Sequence, residues 1–250
     1  MSYGFQIYNS NSQLIANSTD FGYGLVASGS STTTAPSGLF QSTINFTDIG
    51  TGETPLVFVR MNNASSNLWV GLWSMSNTDV KFVTFGATGL YTRRNGAAGT
   101  FDYKIFAPFK NLPSVSGQNY GIQIFNGATP TNLKTFDSNY EIPRVVSTVN
   151  LTIPTPSNSI ANPTVTAAIP SGVSSNPWIN LSMIAGNASV YNQGIHFAGS
   201  GINNGSIEKC IRIFGGFIDL SFGCTIAPAP FSTSTWATGT GQNRLFYLMN

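Results

Sequence analysis

Charge is what this 250-residue chain has least of: Asp, Glu, Lys and Arg together make up 8% of it, and the net charge is only +2. That is about a third of the usual share. The only adjacent basic pair is Arg93-Arg94, so no surface built to track phosphates and no polybasic membrane anchor is expected. Neither nucleic acid nor membrane insertion is expected as a partner. Long apolar runs are missing as well, none approaching the roughly 20 residues of a membrane helix. The N-terminus has no basic segment followed by a hydrophobic one; MSYGFQIYN enters a strand pattern at once. Synthesis in a cytoplasm without standard export is the expectation.

Histidine is nearly absent, and cysteine is scarce. His196 is the only histidine, so any Ser-His-Asp arrangement or imidazole base would have to run through it. It sits in GIHF, on the opposite strand face from Ile195 and Phe197, an ordinary polar surface position. A zinc site would need His196, Cys210, Cys224 and a carboxylate at spacings unlike paired ligand runs. Cys210 and Cys224 flank Gly215-Gly216, which reads as a two-residue hairpin turn. That register sets Cys210 opposite Ser221, so buried free thiols are expected rather than a bridge. Carboxylates show no clustering, and Asp20 and Asp137 sit in turn sequences where the side chain caps its own backbone. Gly-rich GTGTGQ follows no strand-to-helix transition and is a turn rather than a phosphate cradle. The chain is read as no enzyme, with no catalytic residue, no metal site and no cofactor. N-x-S/T triplets such as Asn17-Ser18-Thr19 follow from a composition rich in these residues.

What the chain does hold is aromatic and repeated. It carries 18 Phe, 9 Tyr and 4 Trp within a hydrophobic fraction of 41%, which argues for a folded chain rather than a disordered one. YGFQIYN at 3–9 returns as YGIQIFN at 120–126, and the correspondence continues in order. Asn17-Ser18 matches Asp137-Ser138, Leu25-Val26 matches Val145-Val146, and Pro55-Leu56-Val57 matches Pro177-Trp178-Ile179. Later, Phe85-Gly86-Ala87-Thr88 matches Phe222-Gly223-Cys224-Thr225, and Lys104-Ile105-Phe106 matches Arg244-Leu245-Phe246. A repeat present twice at this length is a tandem duplication, not a solenoid.

Period-two alternation of Tyr3, Phe5 and Ile7 marks a half-buried strand, and NSNSQ and NGATPTN read as hairpin turns. Further strands are expected at LVFVR, LWVGLW, VKFVTF and FDYKIF, then at WINLSMI, SVYNQGIHF, CIRIF, FIDLSF and RLFYLM. No stretch shows a helical period with caps. The fold class expected is all-β: two tandem β-sandwich domains, jelly-roll or Ig-like, over 1–112 and 119–250, with the boundary in PFKNLPSVSGQN. SGSSTTTAPSG at 28–38 and the Pro/Ser/Asn-rich 154–176 read as flexible loops. The hairpins at 3–18 and 120–138 would carry shared packing, and the unequal loops at 28–54 and 147–176 the contacts that differ.

Trp69 and Trp73 fall on one face of LWVGLW, where exposed rings could stack on sugars and core rings would simply fill the sandwich. They are the candidate ligand-binding pair, for a host surface glycan. Trp178 and Trp236 have ordinary structural explanations.

The opening YGFQIYNSNSQLIANS, with YGIQIFN, TFDS and the domain-ending FDYKIFAP, resembles small bacteriophage tail proteins encoded near the tail tip. The likeness covers both hairpins and both domain ends, and it brings no catalytic residues. It implies a virion structural protein of the tail (tip, fibre base or minor tail protein) that meets other virion proteins, in a homo-oligomer that is a trimer or ring. Such a surface, poor in repulsive charge, suits a subunit held in an assembly. A lectin-like receptor-binding tail protein and a head decoration protein are the other expectations.

Overall fold

The computed structural model describes residues 6–8, 14–17, 22–34, 40–62, 67–88, 94–113, 121–126, 133–153, 164–184, 207–224 and 243–250. Apart from a 3-10 turn at Phe109–Asn111, regular structure among them is strand. The first half contributes β1 (Gln6–Tyr8), β2 (Leu14–Asn17), β3 (Tyr23–Thr32), β4 (Gln41–Asn45), β5 (Leu56–Met61), β6 (Trp69–Met75), β7 (Asp79–Thr88), β8 (Arg94–Gly96) and β9 (Thr100–Pro108). The second contributes β10 (Gln123–Asn126), β11 (Leu133–Asp137), β12 (Ser147–Thr152), β13 (Val165–Ala168), β14 (Trp178–Asn180), β15 (Ile207–Phe214), β16 (Phe217–Cys224) and β17 (Asn243–Met249).

Two hairpins, β1-β2 and β10-β11, stand apart from two large sheets. One sheet has six strands in the order β12-β17-β14-β5-β9-β3; the other runs β13-β16-β15-β6-β7-β4, with β8 alongside β7 and β16. Each order is palindromic in the two halves. Central strands β5 and β14 pair antiparallel, as do β6 and β15; β9 and β17, and β7 and β16, come next; β3, β12, β4 and β13 are the edges.

The register sharpens this symmetry. Phe58 lies opposite Asn180 in the β5-β14 ladder, and these are corresponding positions, each following the matched triplets Pro55-Leu56-Val57 and Pro177-Trp178-Ile179. Val59 faces Ile179, and on the other side the Leu181 amide donates to the Val57 carbonyl at 2.7 Å. A local two-fold axis therefore passes through the Phe58-Asn180 pair. The loops follow it: Phe46 N–H donates to the Thr78 carbonyl at 2.9 Å, and Ile169 N–H to the Gly216 carbonyl at 3.0 Å, each clasping the turn of the adjacent inner hairpin.

Between the sheets lies one continuous apolar core. It takes Val57, Val59, Val70, Phe82, Phe101 and Ile105 from the first half and Leu151, Ile179, Ile211, Leu220, Phe246 and Leu248 from the second. This corrects the expectation of two sandwich domains at 1–112 and 119–250, because both halves share both sheets and one interior. Cutting β5 from β14 would expose apolar faces that a half-sheet cannot cover. Ser182 closes the seam at one end, its hydroxyl donating to the Pro55 carbonyl at 3.1 Å and accepting from the Val57 amide at 2.8 Å. Asn176 closes the other by donating to the Met61 carbonyl at 2.6 Å.

Two further expectations change. Leu56 pairs with Phe106, and Trp178 with Met249, so Phe106 corresponds to Met249, not to Phe246. Phe106 and Met249 share an outer-face cluster with Phe58 and Trp178, whereas Phe246 faces the core. The stretches read as loops also contain strands. Ser28–Thr32 continues β3 against Thr100–Lys104, and β12 and β13 fall within 147–176. Ser28–Thr32 and β12 are Ser/Thr-rich, so backbone pairing defines them rather than apolar alternation. SVYNQGIHF lies outside the described residues, and of WINLSMI only Trp178–Asn180 is strand.

Candidate assembly surfaces

The duplicated hairpins share their register as well as their sequence. Gln6 pairs with Asn17 and Gln123 with Asp137, and each ladder slips by one residue directly after the matched isoleucine, Ile7 or Ile124. The second hairpin seats on the first half of the chain. Ile124 and Phe136 bury against Ile49, Ala107, Phe109 and Leu112, with Val26, Phe46, Tyr140 and Ile142 packed around them. The Phe109 and Phe136 rings meet edge to face at 5.7 Å, an arrangement favoured by their quadrupoles. Gly22 N–H donates to the Thr135 carbonyl at 3.0 Å. Gly24 permits the close approach, since a Cβ there would stand 2.6 Å from the Phe109 ring.

A buried ion pair locks this seat. Lys134 Nζ lies 2.9 Å from Asp137 Oδ2, and both side chains are almost wholly enclosed. Asp137 also accepts from Gln123 at 2.9 Å and from the Asn139 amide at 3.0 Å, the latter being the expected self-capping turn. Burial on its own would raise the Asp137 carboxyl; the Lys134, Asn139 and Gln123 donors outweigh it and hold its pKa below the ordinary value. Lys134 and the Tyr140 hydroxyl both donate to the Pro113 carbonyl, at 3.1 and 2.7 Å, and the Lys134 ammonium lies 5.3 Å from the Tyr140 ring centroid. The start of the inter-half connection is thereby tied to the second hairpin.

From there residues 141–146 run from one side of the six-stranded sheet to the other. The Leu25 amide donates to the Glu141 carbonyl at 2.8 Å, and the Val146 amide to the Leu248 carbonyl at 2.8 Å. Glu141 pairs with Lys104. Beside it Trp178 is flanked by two cations, Arg60 at 4.5 Å and Lys104 at 5.1 Å from its ring. Arg60 is held in turn by Asp102 at 2.9 Å, its direct ladder partner.

Among the described residues, large apolar side chains remain exposed in three places: Ile122, Phe125 and Leu133 on the second hairpin; Val145, Val146 and Leu245 beside β12; Phe214 and Phe217 on either side of the Gly215-Gly216 turn. Alternation predicts partial exposure along an edge, and grouped aromatics and branched aliphatics on a charge-poor surface make these the candidate contact surfaces.

The expected sugar-binding pair divides. Trp69 is only 1% exposed and belongs to a cluster with Val83, Phe85 and Cys210. Trp73 packs on that cluster and is partly exposed, at a slip in the β6-β7 ladder between Leu72 and Ser74. Arg212 covers Trp69, its guanidinium 4.5 Å from that ring and 4.7 Å from Phe214, while it pairs with Asp219 and donates to Asn67 at 2.8 Å. Trp69 is therefore a packing residue with no open face for a sugar, which corrects that part of the expectation.

Gly215 and Gly216 both have positive φ, at 59° and 84°, as a two-residue hairpin turn of this kind requires. Cys210 accordingly faces Ser221, and Ile207 faces Cys224; Cys210 is buried. His196, Asp20, Arg93 and Trp236 lie outside the described residues. Among the described residues no group of His, Cys, Asp and Glu could hold a metal ion, and no helix is long and apolar enough to cross a membrane. No family model, curated protein or solved structure matches the chain.

Proposed function

We propose that the chain is a non-enzymatic structural subunit of a bacteriophage particle, part of the tail at the tip, the fibre base or among the minor tail proteins. What carries this reading is the grouping of exposed Ile122, Phe125, Leu133, Phe214 and Phe217 on a chain with 8% charged residues. Free in solution such a surface would associate; within an assembly it is covered. The resemblance of both hairpins to tail proteins encoded near the tail tip supports the viral setting. Two sheets around one core, with exposed apolar groups outside it, suit a scaffold that other virion proteins dock onto.

The receptor-binding reading loses Trp69, whose ring is enclosed, and keeps only Trp73. Mass spectrometry of purified particles, with the copy number fixed by imaging, tests the proposal. Stoichiometric incorporation is expected. Absence of the chain from intact particles would sink the structural role, and glycan-array binding lost on Trp73→Ala would move the protein to the lectin class.

A further inference from the structure

The two halves of the chain join by one rule: equivalent strands lie antiparallel side by side, β5 against β14 and β6 against β15. The outer strands β3 and β12 are equivalent too. Ser147–Thr152 follows Val145-Val146 as residues 27–32 follow Leu25-Val26. Matching positions bond to the next strand in, Thr32 to Thr100 at 2.7 Å and Thr152 to Asn243 at 2.5 Å. Proteins commonly blunt such edges with charge or proline. Here β3, β4, β12 and β13 contain neither, and the charges that the two sheets carry fall on other strands, Arg60, Lys104, Arg212 and Asp219 among them.

What occupies these edges differs between the two ends of the sandwich. At the β3-β4 end the Leu25 amide is taken by the Glu141 carbonyl, and β3 slips between Leu25 and Ala27. Thr34 also exchanges both backbone bonds with Gln41 of β4, at 3.0 and 3.2 Å. At the other end, where β12 meets β13, nothing among the described residues pairs with the outer side of β12. Its ladder with β17 runs through all six residues without a slip. Thr148 and Asn150 are exposed along it, and so are Val145 and Val146 just ahead of it.

We infer that β12 of one copy pairs antiparallel with β12 of a second copy, so that the six-stranded sheets of two molecules become one. The occupant is a second copy because this strand suits a meeting with itself. About a two-fold axis each side chain faces its own twin or a near neighbour, where a lysine or glutamate would meet its own charge. Ser147–Thr152 has no charge to repel. Thr148 and Asn150 both donate and accept hydrogen bonds, so twin side chains can bond to each other. The axis must fall between one residue and its own copy, as the internal axis falls between the equivalent Phe58 and Asn180. Only then do Val149 and Leu151 of both copies stay on the core side. Pairing over the full strand sets the axis at Val149 or Asn150. Such a contact is isologous and closes on a pair; a ring would need a further surface.

This pairing rests on the assembly reading but asks for no viral setting, and its test separates the two. Full-length chains carrying Asn150→Cys, alone or mixed with chains carrying Thr148→Cys, are oxidised mildly, and the cross-links are mapped by peptide mass spectrometry. Directly paired Cα atoms lie about 4.5–5.5 Å apart, within disulfide reach. A disulfide between copies is expected at 150–150 if Asn150 is on the axis, or at 148–150 in the mixture if Val149 is. Sedimentation over a range of concentrations should show a dimer, weakened about tenfold or more by Asn150→Lys, with circular dichroism establishing that the variant is folded. Self-association that survives Asn150→Lys, with neither disulfide formed, would overturn the edge pairing and leave assembly standing. A disulfide joining Asn150→Cys to Ser30→Cys in place of these would overturn the two-fold contact in favour of a head-to-tail one. A wild-type chain that stays monomeric at every concentration would overturn the pairing, while the virion reading would still be decided by the composition of purified particles.

Discussion

Gly71 stands opposite Cys210 at the centre of the seven-stranded sheet, and a Cβ at Gly71 would lie 2.7 Å from the Lys209 carbonyl oxygen. That oxygen is backbone in the facing strand, so it cannot swing aside as a side chain would. Gly71→Ala must push β6 away from β15 along the seam joining the halves. We expect a loss of about 1–3 kcal/mol in urea-induced unfolding, and an unchanged midpoint would mean that the seam is looser than this contact requires.

A shared interior makes a second prediction. With Ile105 and Leu248 in one core, neither half has a stable form of its own, so unfolding should be a single cooperative event. Single-tryptophan proteins reporting from Trp69 in the first half and Trp178 in the second should give coincident denaturation curves. Separate midpoints would restore the picture of two independent domains.

The pairing of β1 with β2 and of β10 with β11 was the most legible part of the fold, because period-two strands flank short turn sequences; the slip in each ladder was not. The Cys210-Ser221 pairing was equally plain, since a Gly-Gly turn fixes its ladder. Partnership between β5 and β14 was not legible: alternation says which face of a strand is buried, never which strand lies beside it. One clue existed in LVFV, where Val57, Phe58 and Val59 are buried in succession, the pattern of a strand covered on both faces. Slips at Leu25/Ala27 and Leu72/Ser74 then shift strand phase, so a match in letters such as Phe106 with Phe246 joins residues on opposite faces. Trp69 was ambiguous for a related reason. Alternation placed it beside Trp73, but what covers that face is Arg212, from a strand remote in sequence.

The Lys134-Asp137 pair should govern acid sensitivity. The folded-state pKa of Asp137 lies below its ordinary value, so the pair's contribution is complete above the unfolded carboxylate range near 3.9 and disappears as pH falls through the lower folded value. Asp137→Asn leaves a buried ammonium without its counter-charge, at a cost of about 3–5 kcal/mol near neutral pH. Stability curves of wild type and variant should therefore converge as the medium is made strongly acidic. A gap that stays constant down to pH 2 would mean that the carboxylate's charge does not hold the hairpin.

Trp69 should behave as core. Truncation to Ala removes a ring packed against Val83, Phe85 and Cys210 and strips Arg212 of its stacking partner, which should lower stability by about 3–5 kcal/mol. Trp73→Ala, at a partly exposed position, should cost less than half of that. Equal losses at the two sites in thermal unfolding would show that the slip in β6 leaves Trp73 as enclosed as Trp69.

Phe214 and Phe217 offer a test of exposed apolar surface. They are direct ladder partners at the mouth of the Gly215-Gly216 turn, and both are substantially exposed. Phe217→Ser alters neither the turn glycines nor the core, so folding stability should stay within about 0.5 kcal/mol of wild type. Phe214 also touches the Arg212 guanidinium, so Phe214→Ser should cost somewhat more. If the pair is a contact surface, Phe217→Ser should lower self-association or incorporation into particles while the melting temperature holds. A fall in melting temperature with association unchanged would instead make Phe217 a local packing residue of its own hairpin.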